Sequence, residues 1–144
     1  MPDILCAVQM ALEGNLSKFS IEQNTQRGIK PSGDLIPWNI REQFQTSDFP
    51  QLAGGRIVRI ATHAKTMKMG YGSRALQQLS DFFEGKLVSL DKDADIVPYD
   101  FRGEGVRKPL LKKLDEVKPP LLHYLGTSFG FTELLLKFWK KNQF

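Results

Sequence analysis

The sequence predicts an α/β fold in which apolar strands alternate with amphipathic helices. Two apolar segments rich in β-branched residues, Ile4–Leu12 and Arg56–His63, have the composition of strands. Between about Tyr71 and Glu84, leucine and phenylalanine recur at spacings of three and four residues, as on one face of a helix. Strand, glycine-containing loop and helix therefore follow one another directly, an order typical of α/β domains.

Composition limits the classes of protein to consider. The 144 residues suffice for one domain with its own core, and 41% hydrophobic with 25% charged residues is ordinary for a globular chain. No apolar run approaches the roughly 20 residues that cross a bilayer. One cysteine cannot form an internal disulfide, and with two histidines it leaves too few ligands for a structural zinc site. We expect no membrane span and no metal.

Charge is unevenly distributed along the chain. Residues 1–101 hold 11 Lys/Arg and 12 Asp/Glu, whereas residues 102–144 hold 9 and 4. A basic last third favours a polyanion as partner, such as RNA or a phosphorylated cofactor. A solvated lysine-rich helix face explains the same charge equally well.

The first half of the chain is predicted to hold two strands separated by two short helices. In order, the elements are strand Ile4–Leu12 ending at Gly14, helix Ser17–Gln26 closed by Gly28, a turn-rich stretch Lys30–Trp38, helix Asn39–Gln45, loop Phe49–Gly55 and strand Arg56–His63. Ile57, Val58 and Ile60 are nearly continuous in this last strand, which indicates a strand covered on both faces.

The second half is predicted to hold a helix, a surface insertion, a strand and a final helix. The elements are a loop at Ala64–Met69, helix Tyr71–Glu84 stopped by Gly85, an insertion at about 88–108, a short helix Pro109–Leu114, strand Leu121–Ser128 and a terminal helix with Thr132 as its N-cap. Asp91, Asp93 and Asp95 alternate as in a calcium loop, but the loop glycine and final glutamate are absent, which favours a solvated acidic loop.

The glycines at the start of the Tyr71 helix raise the question of a phosphate site. A helix start presents unpaired backbone N–H groups and a partial positive charge, and Gly70 and Gly72 leave that backbone accessible. Glycines at helix starts also serve packing or turn geometry alone. A P-loop is excluded because no Gly-Lys-Ser/Thr follows. Gly70, Gly72 and Ala75 fit a loose dinucleotide fingerprint, with Asp91 at a suitable distance.

A longer string resembles a known family. RIVRIATHAKTMKMGYGSRALQQL resembles motif A of the GNAT superfamily of N-acetyltransferases. DILCAVQMALEGNLS, SGDLIPW, FFEGK, YLGTSFGFT and LLKFWKKNQF narrow the resemblance to the eukaryotic type of RNA cytidine acetyltransferase. The resemblance implies a GNAT fold, with a mixed central sheet flanked by helices. It implies that residues 1–144 form a partial N-acetyltransferase domain whose last strands are missing.

The resemblance also implies a chemistry and its residues. The family uses acetyl-CoA to acetylate N4 of cytidine in ribosomal and transfer RNA. The backbone of Ile60, Ala61 and Thr62 would lie beside the acetyl and pantetheine groups, with an N–H near Ala61–His63 as oxyanion donor. The pyrophosphate loop would comprise Met67, Lys68, Met69, Gly70, Tyr71, Gly72 and Ser73, and Lys141 would stand where the family has an arginine near the cofactor.

The chain departs from the family pattern at four positions. Met67 replaces a Gln or Arg, Lys68 replaces a glycine, Lys141 replaces an arginine and His123 replaces an aspartate. Lysine keeps the charge of arginine but not its bidentate fork. The family's ATP-driven helicase-like module and RNA-binding tail are absent, so the chain is expected to be a fragment.

Several side chains have two interpretations each. His63 would be the base that removes a proton from the acceptor, or a histidine that stabilises the turn. Trp38 and Trp139 would stack on a base or pack in the core. Arg56 and Arg59 would meet phosphate or RNA, or pair with acidic neighbours. Lys137, Lys140 and Lys141 would form an RNA or CoA patch or a solvated helix end.

Three functions remain open on the sequence. The first is RNA cytidine acetylation with RNA as partner, in a nuclear and nucleolar setting, with adaptor proteins or guide RNAs as further partners. The second is acetylation of protein lysines, because a CoA site does not specify the acceptor. The third is a noncatalytic RNA- or CoA-binding remnant, favoured by Met67, Lys68 and the missing segments.

Overall fold

The computed structural model describes residues 3–29, 32–87, 97–98 and 111–144, the pair 97–98 by its backbone only. Within these ranges the chain divides into two compact units, one comprising residues up to Leu76 together with Leu122–Phe144, the other Gln77–Leu121. The helices and strands are, in order, β1 (Cys6–Gly14), α1 (Lys18–Gln26), α2 (Leu35–Phe44), β2 (Ala53–Thr62), α3 (Tyr71–Phe83), β3 (Val97–Pro98), β4 (Val117–Lys118), β5 (Tyr124–Thr127) and α4 (Glu133–Lys141).

The first unit is organised by a three-stranded mixed sheet in the order β1-β2-β5. β1 runs antiparallel to β2 from Cys6 opposite Thr62 to Gly14 opposite Ala53. β5 runs parallel to β2, from Gly54 opposite Tyr124 to Ile57 opposite Thr127. The predicted α/β class with a mixed sheet flanked by helices is therefore confirmed.

A β-bulge interrupts β2 at Val58. Gln9 lies opposite Arg59 and the next residue, Met10, lies opposite Ile57, so Val58 is the extra residue of the longer strand. The apolar run at Ile57 and Val58 thus reflects the bulge. The prediction that this strand is covered on both faces is wrong, because Arg59 and Ala61 are exposed.

The helix starts follow their local chemistry. The Ser17 hydroxyl accepts from the Ser20 N–H at 3.2 Å, and the Thr132 hydroxyl accepts from the Leu135 N–H at 3.3 Å. Thr132 is therefore confirmed as the N-cap of α4. The predicted α3 is confirmed to within one residue at its end, and Leu76 on its apolar face is buried.

Five elements differ from the prediction by two residues or more, and the first of them, β1, spans Cys6–Gly14 rather than Ile4–Leu12. α2 begins at Leu35 inside the stretch predicted to be turns, because Pro37 falls in the first helical turn, where no N–H is required. β2 begins at Ala53 rather than Arg56, because Gly54 and Gly55 pair with both neighbouring strands. β5 is shorter than predicted, at Tyr124–Thr127. In place of a helix at Pro109–Leu114, residues 111–113 are irregular and a 3-10 turn spans Leu114–Glu116.

The core of the first unit includes the apolar side chains of Ile21, Trp38, Ile57, Leu76 and Trp139. Trp139 is surrounded by phenylalanines, with Phe138 at 5.2 Å, Phe144 at 5.7 Å and Phe129 at 6.1 Å between ring centroids. Both tryptophans are buried, so packing rather than base stacking accounts for them.

The second unit contributes the rest of α3 and a two-stranded parallel pair, β3 with β4. Phe82 and Phe83 pack edge to face at 5.1 Å, and Val117 is buried. The insertion predicted at about 88–108 lies almost wholly outside the described residues and stays a prediction.

Gly54 gives a direct test of the packing of β2 on β5. A Cβ built on Gly54 would overlap the ring of Tyr124, whereas one built on Gly130 meets nothing within 4 Å. We expect Gly54→Ala to lower the free energy of unfolding by about 1–3 kcal/mol through overpacking. Gly130→Ala, the matched control, should leave it unchanged or raise it slightly. Urea unfolding curves of equal stability for both variants would contradict this packing.

Candidate active site

The turn between β2 and α3 bends through two residues in the left-handed region. Lys68 has φ +63° and Gly70 has φ +90°. Glycine adopts this conformation freely, whereas a lysine there is strained. Met67 and Met69 are 60% and 69% exposed, and a Cβ built on Gly70 would meet nothing within 4 Å. The predicted loop is therefore open to solvent and is not filled by its own side chains.

The backbone amides at the start of α3 have no acceptor in the part of the chain that the structure describes. In this turn, Thr66 N–H donates to His63 C=O at 2.9 Å, Met69 N–H to Thr66 C=O at 3.4 Å and Arg74 N–H to Gly70 C=O at 2.9 Å. No hydrogen bond within the described part of the chain engages the N–H groups of residues 70–73. Four adjacent donors at a helix start form a suitable site for an anion.

Gly72 is not explained by the fold alone. Its φ is not in the left-handed region, and a Cβ there would meet Thr62 Oγ1 at 3.5 Å and Phe138 at 3.6 Å, which is ordinary contact. Neither turn geometry nor crowding therefore requires glycine at this position. Close approach of a ligand to the backbone would give a physical reason for it.

The second feature is an unpaired backbone edge along the last part of β2. β5 pairs with β2 only as far as Ile57, where the Thr127 hydroxyl donates to Ile57 C=O at 3.3 Å. From Val58 to Thr62, β2 keeps β1 as its neighbour on one side, and no described strand lies on the other. A ligand carrying amide groups can hydrogen-bond to such an edge as a further strand would.

The direction of each backbone group on this edge follows from the antiparallel pairing. His63 N–H donates to Leu5 C=O at 2.8 Å, and hydrogen bonding alternates along an antiparallel pair. The backbone groups of Ala61 therefore face β1, whereas those of Ile60 and Thr62 face the unpaired edge. The predicted oxyanion donor is an N–H near Ala61–His63. Of these three residues, only Thr62 has its N–H on the unpaired edge, so Thr62 is the candidate donor.

His63 is occupied in the turn. Its Nδ1 accepts from the Lys65 N–H at 3.2 Å, so it caps a 3-10 turn at Ala64–Thr66. A neutral imidazole that accepts at Nδ1 carries its proton on Nε2, which leaves no free lone pair on the ring. The geometry supports the turn-stabilising interpretation, and a role for His63 as base stays a prediction.

Lys141 lies in the last turn of α4 and is exposed. Phe138, three residues earlier, is the residue of α4 that approaches Gly72. Residues three apart share a helix face, so Lys141 continues the face that meets the start of α3. The approach of Phe138 to Gly72 depends on long-range packing, so no local signal in the sequence indicates it.

Arg56 and Arg59 have different surroundings. Arg56 Nε forms a hydrogen-bonded ion pair with Glu13 Oε1, with exposed side-chain fractions of 17% and 0%. The other Glu13 oxygen accepts from the Ile36 N–H at 3.1 Å, at the start of α2. Arg59 is exposed, and within the described residues it has no ion pair. Arg56 is thus held within the fold, whereas Arg59 has no ion-pair partner among the described residues.

The same buried region contains Tyr124. Burial, reinforced by the Glu13 and Asp34 carboxylates, raises the pKa of Tyr124 to about 12. The Gly14 N–H donates to Asp34 Oδ1 at 2.8 Å. Glu13 and Asp34 therefore tie β1 to the start of α2, and Tyr124 remains neutral beside them.

The described residues contain neither a metal-binding cluster nor a membrane-spanning helix. No group of three or more His, Cys, Asp or Glu there could hold a metal ion. None of the helices described is long and apolar enough to cross a membrane.

The open turn Met67–Ser73, here called the phosphate turn after its predicted ligand, lies next to a strand edge that β5 leaves unpaired, an arrangement that fits an N-acetyltransferase of the GNAT class. A family model described as "GNAT acetyltransferase 2" matches residues 1–105 and 100–144. The chain belongs to this family.

Similar curated proteins extend the comparison. The chain is 47% identical over 159 residues to the RNA cytidine acetyltransferase of Mus musculus, and 45% identical over 166 residues to that of Saccharomyces cerevisiae. Each alignment covers all of this chain and 16% of the relative. A relative from Achlya ambisexualis, with the same name, is 39% identical over 160 residues, and 43% of it is covered. The chain thus spans about a sixth of the length of most of these relatives.

Glu13 gives a test of the buried ion pair. We expect Glu13→Ala to lower the free energy of unfolding by about 3–5 kcal/mol, because it leaves Arg56 and the Ile36 N–H without their partner in a buried place. Glu133→Ala removes the exposed pair with Lys137 and should cost less than about 0.5 kcal/mol. Denaturant unfolding measures both, and a similar small effect for the two variants would mean that the Glu13 pair contributes little.

Lys68 gives a test of strain in the phosphate turn. We expect Lys68→Gly to raise the free energy of unfolding of the ligand-free chain by about 0.5–1 kcal/mol, because glycine relieves the left-handed conformation. Lys65→Gly, at a neighbouring position without positive φ, should have the opposite sign. Thermal unfolding compares the two variants, and destabilisation by Lys68→Gly would contradict a strained turn.

Proposed function

We propose that this chain is the acetyl-transferring region of an RNA cytidine acetyltransferase, acting with acetyl-CoA on N4 of cytidine in ribosomal and transfer RNA. The observation that carries the proposal is the set of amides at residues 70–73 that no described group engages, with Gly72 close to Thr62 at the end of the unpaired edge of β2. The relatives named RNA cytidine acetyltransferase, identical to this chain at 39–47%, support the choice of acceptor.

The residues present fit the cofactor. The amides at residues 70–73 would hold the diphosphate of coenzyme A, with Lys68 and Lys141 adding positive charge near it. The outward-facing backbone of Ile60 and Thr62 would bind the amide groups of the pantetheine arm. Acetyl-CoA, when bound, supplies an acetyl group activated as a thioester.

The chain itself would act mainly by positioning. The Thr62 N–H faces the unpaired edge and would donate to an oxygen on which negative charge develops. The amino group of cytosine is uncharged at neutral pH, so no base is needed before it reacts. The cytidine must be unpaired or flipped out of a helix to reach the edge of β2.

The wider setting is part of the proposal and rests on the family resemblance. ATP would be used by a separate module, adaptor proteins or guide RNAs would select the RNA, and the protein would work in the nucleus and nucleolus.

Acetyl transfer to two acceptors tests the proposal. The full chain is incubated with acetyl-CoA and either an RNA with an unpaired cytidine or a lysine-containing peptide, and the products are identified by mass spectrometry. We expect N4-acetylcytidine and no acetyl-lysine. Acetyl-lysine alone would favour a protein acetyltransferase. No product, and no rise in melting temperature with acetyl-CoA, would favour a noncatalytic remnant.

A substitution at Gly72 distinguishes a role in cofactor binding from a role in folding. We expect Gly72→Ala to weaken acetyl-CoA binding about tenfold or more, roughly 1.4 kcal/mol, because its Cβ blocks close approach of the diphosphate. The fold should tolerate it, since the Cβ makes only ordinary contacts. Calorimetric titration measures affinity, with Gly130→Ala as control. If Gly72→Ala binds acetyl-CoA with wild-type affinity, the diphosphate does not bind at this turn.

A further inference from the structure

We propose that Arg59, together with Gln9, recognises the cytosine base of the acceptor on the exposed face of the sheet. This inference rests on the proposed function and assigns a specificity residue for it. We call the exposed side chains of Ala7, Gln9, Arg59 and Ala61 the Arg59 face. The opposite side of these strands carries Cys6, Val8, Ile60 and Thr62, all half-buried, and is called the Thr62 face.

The bulge at Val58 determines which side Arg59 occupies. Ala11 lies opposite Arg56 and Gln9 lies opposite Arg59, and Ala11 and Gln9 are two residues apart on β1. Since side chains alternate along a strand, Arg56 and Arg59 share one face although they are three residues apart. Without the bulge, Arg59 would point to the Thr62 face.

The two arginines on this face differ in what they meet. Arg56 is neutralised by the buried Glu13 carboxylate. Arg59 lies opposite Gln9, and its neighbours along the Arg59 face are alanines, so no carboxylate stands beside it there. An exposed arginine with no acidic partner in the described part of the chain, next to small side chains, leaves both charge and space for a flat polar ligand.

The position of Arg59 relates it to the proposed chemistry. Arg59 is two residues beyond Ile57, where the pairing of β5 with β2 stops. On the Thr62 face, the start of α3 approaches Thr62 through Gly72. The phosphate turn thus begins beside the Thr62 face, and an acceptor can approach the unpaired edge from the Arg59 face.

The chemistry of the base matches these side chains. Beside its N4 amino group, cytosine carries two hydrogen-bond acceptors, N3 and O2. The arginine guanidinium has only donors, arranged as a fork, and the Gln9 amide can donate as well. Uracil carries an N–H at N3, which a guanidinium repels. Arg59 and Gln9 would therefore hold cytosine by N3 and O2 and leave N4 free to react.

Substitutions of Arg59 test the assignment on the full chain. With an RNA carrying one unpaired cytidine, we expect Arg59→Gln to lower kcat/KM about 10–100-fold, mainly through a higher KM. Arg59→Lys should recover only part, because it lacks the fork. Arg27→Gln, which removes another exposed arginine at the end of α1, should leave the kinetics unchanged. Unchanged kinetics for Arg59→Gln would overturn the assignment.

A modified base separates base recognition from a phosphate contact. In 3-deazacytidine, a C–H replaces N3 and the amino group remains. If Arg59 contacts N3, the loss of kcat/KM caused by Arg59→Gln and the loss caused by the modified base should be much less than additive when the two are combined. Additive losses, or full recovery by Arg59→Lys with a lower salt dependence in Arg59→Gln, would indicate a phosphate contact and overturn the assignment.

A binding measurement keeps the two proposals distinct. The wild-type chain and Arg59→Gln are each mixed with labelled RNA that carries either cytidine or 3-deazacytidine. Fluorescence anisotropy then gives the affinity of each of these four combinations. If the wild-type chain transfers no acetyl group but prefers cytidine over 3-deazacytidine only when Arg59 is present, the acetyl-transfer proposal fails and the role of Arg59 stands. If the chain transfers acetyl groups, and neither the kinetic nor the binding preference for cytidine depends on Arg59, the acetyl-transfer proposal stands and the role of Arg59 fails.

Discussion

The unequal pairing of β2 is the constraint on which the site depends. β1 accompanies β2 along its whole length, whereas β5 accompanies it for four residues only. Backbone N–H and C=O groups are costly to leave without partners, so an unpaired edge at the end of a strand requires either water or a ligand. The edge begins at Val58 and leads to the amides of residues 70–73. One stretch of backbone would therefore provide both parts of the proposed cofactor site.

The bulge at Val58 adds a second consequence. It marks the point where pairing with β5 has just ended, and it changes which face the following side chains occupy. Before the bulge, Arg56 is used to neutralise a carboxylate that the fold buries. After it, Arg59 reaches solvent on the same face. Burial of the Glu13–Arg56 pair carries a desolvation cost, which the additional hydrogen bond from the start of α2 partly offsets.

Local signals predicted most of the elements. The N-cap hydroxyls of Ser17 and Thr132 and the spacing of apolar residues in α3 act over three or four residues, and the structure confirms these helices. The sequence also contains a signal for the start of α2, because a proline such as Pro37 suits the first helical turn. Pro31 and Gly33, which precede it, favour a turn instead. The resemblance to the GNAT class then placed the phosphate turn at Met67–Ser73, and the structure shows that turn to be open.

Long-range pairing accounts for what the sequence could not reveal. A bulge is a property of two strands together, so a run such as Ile57-Val58 is indistinguishable from a strand buried on both faces. The partners of Arg56 and Arg59 depended on which residues of β1 came opposite them. For the same reason, the approach of Phe138 to Gly72 and the use of His63 Nδ1 in a turn had no local signal.

The arrangement also explains why so few side chains are assigned to the chemistry. An uncharged amine and an activated thioester need to be brought together and held in the right orientation more than they need strong acids or bases. Backbone groups of Thr62 and of the α3 start provide rigid donors whose positions are fixed by the sheet. Side chains would then be available to determine which base is accepted. Arg59, the exposed arginine after the bulge, is the side chain proposed for this role. In the proposed site, Met67 in place of a polar residue would remove no essential contact, because the contacts to the cofactor would come from the main chain.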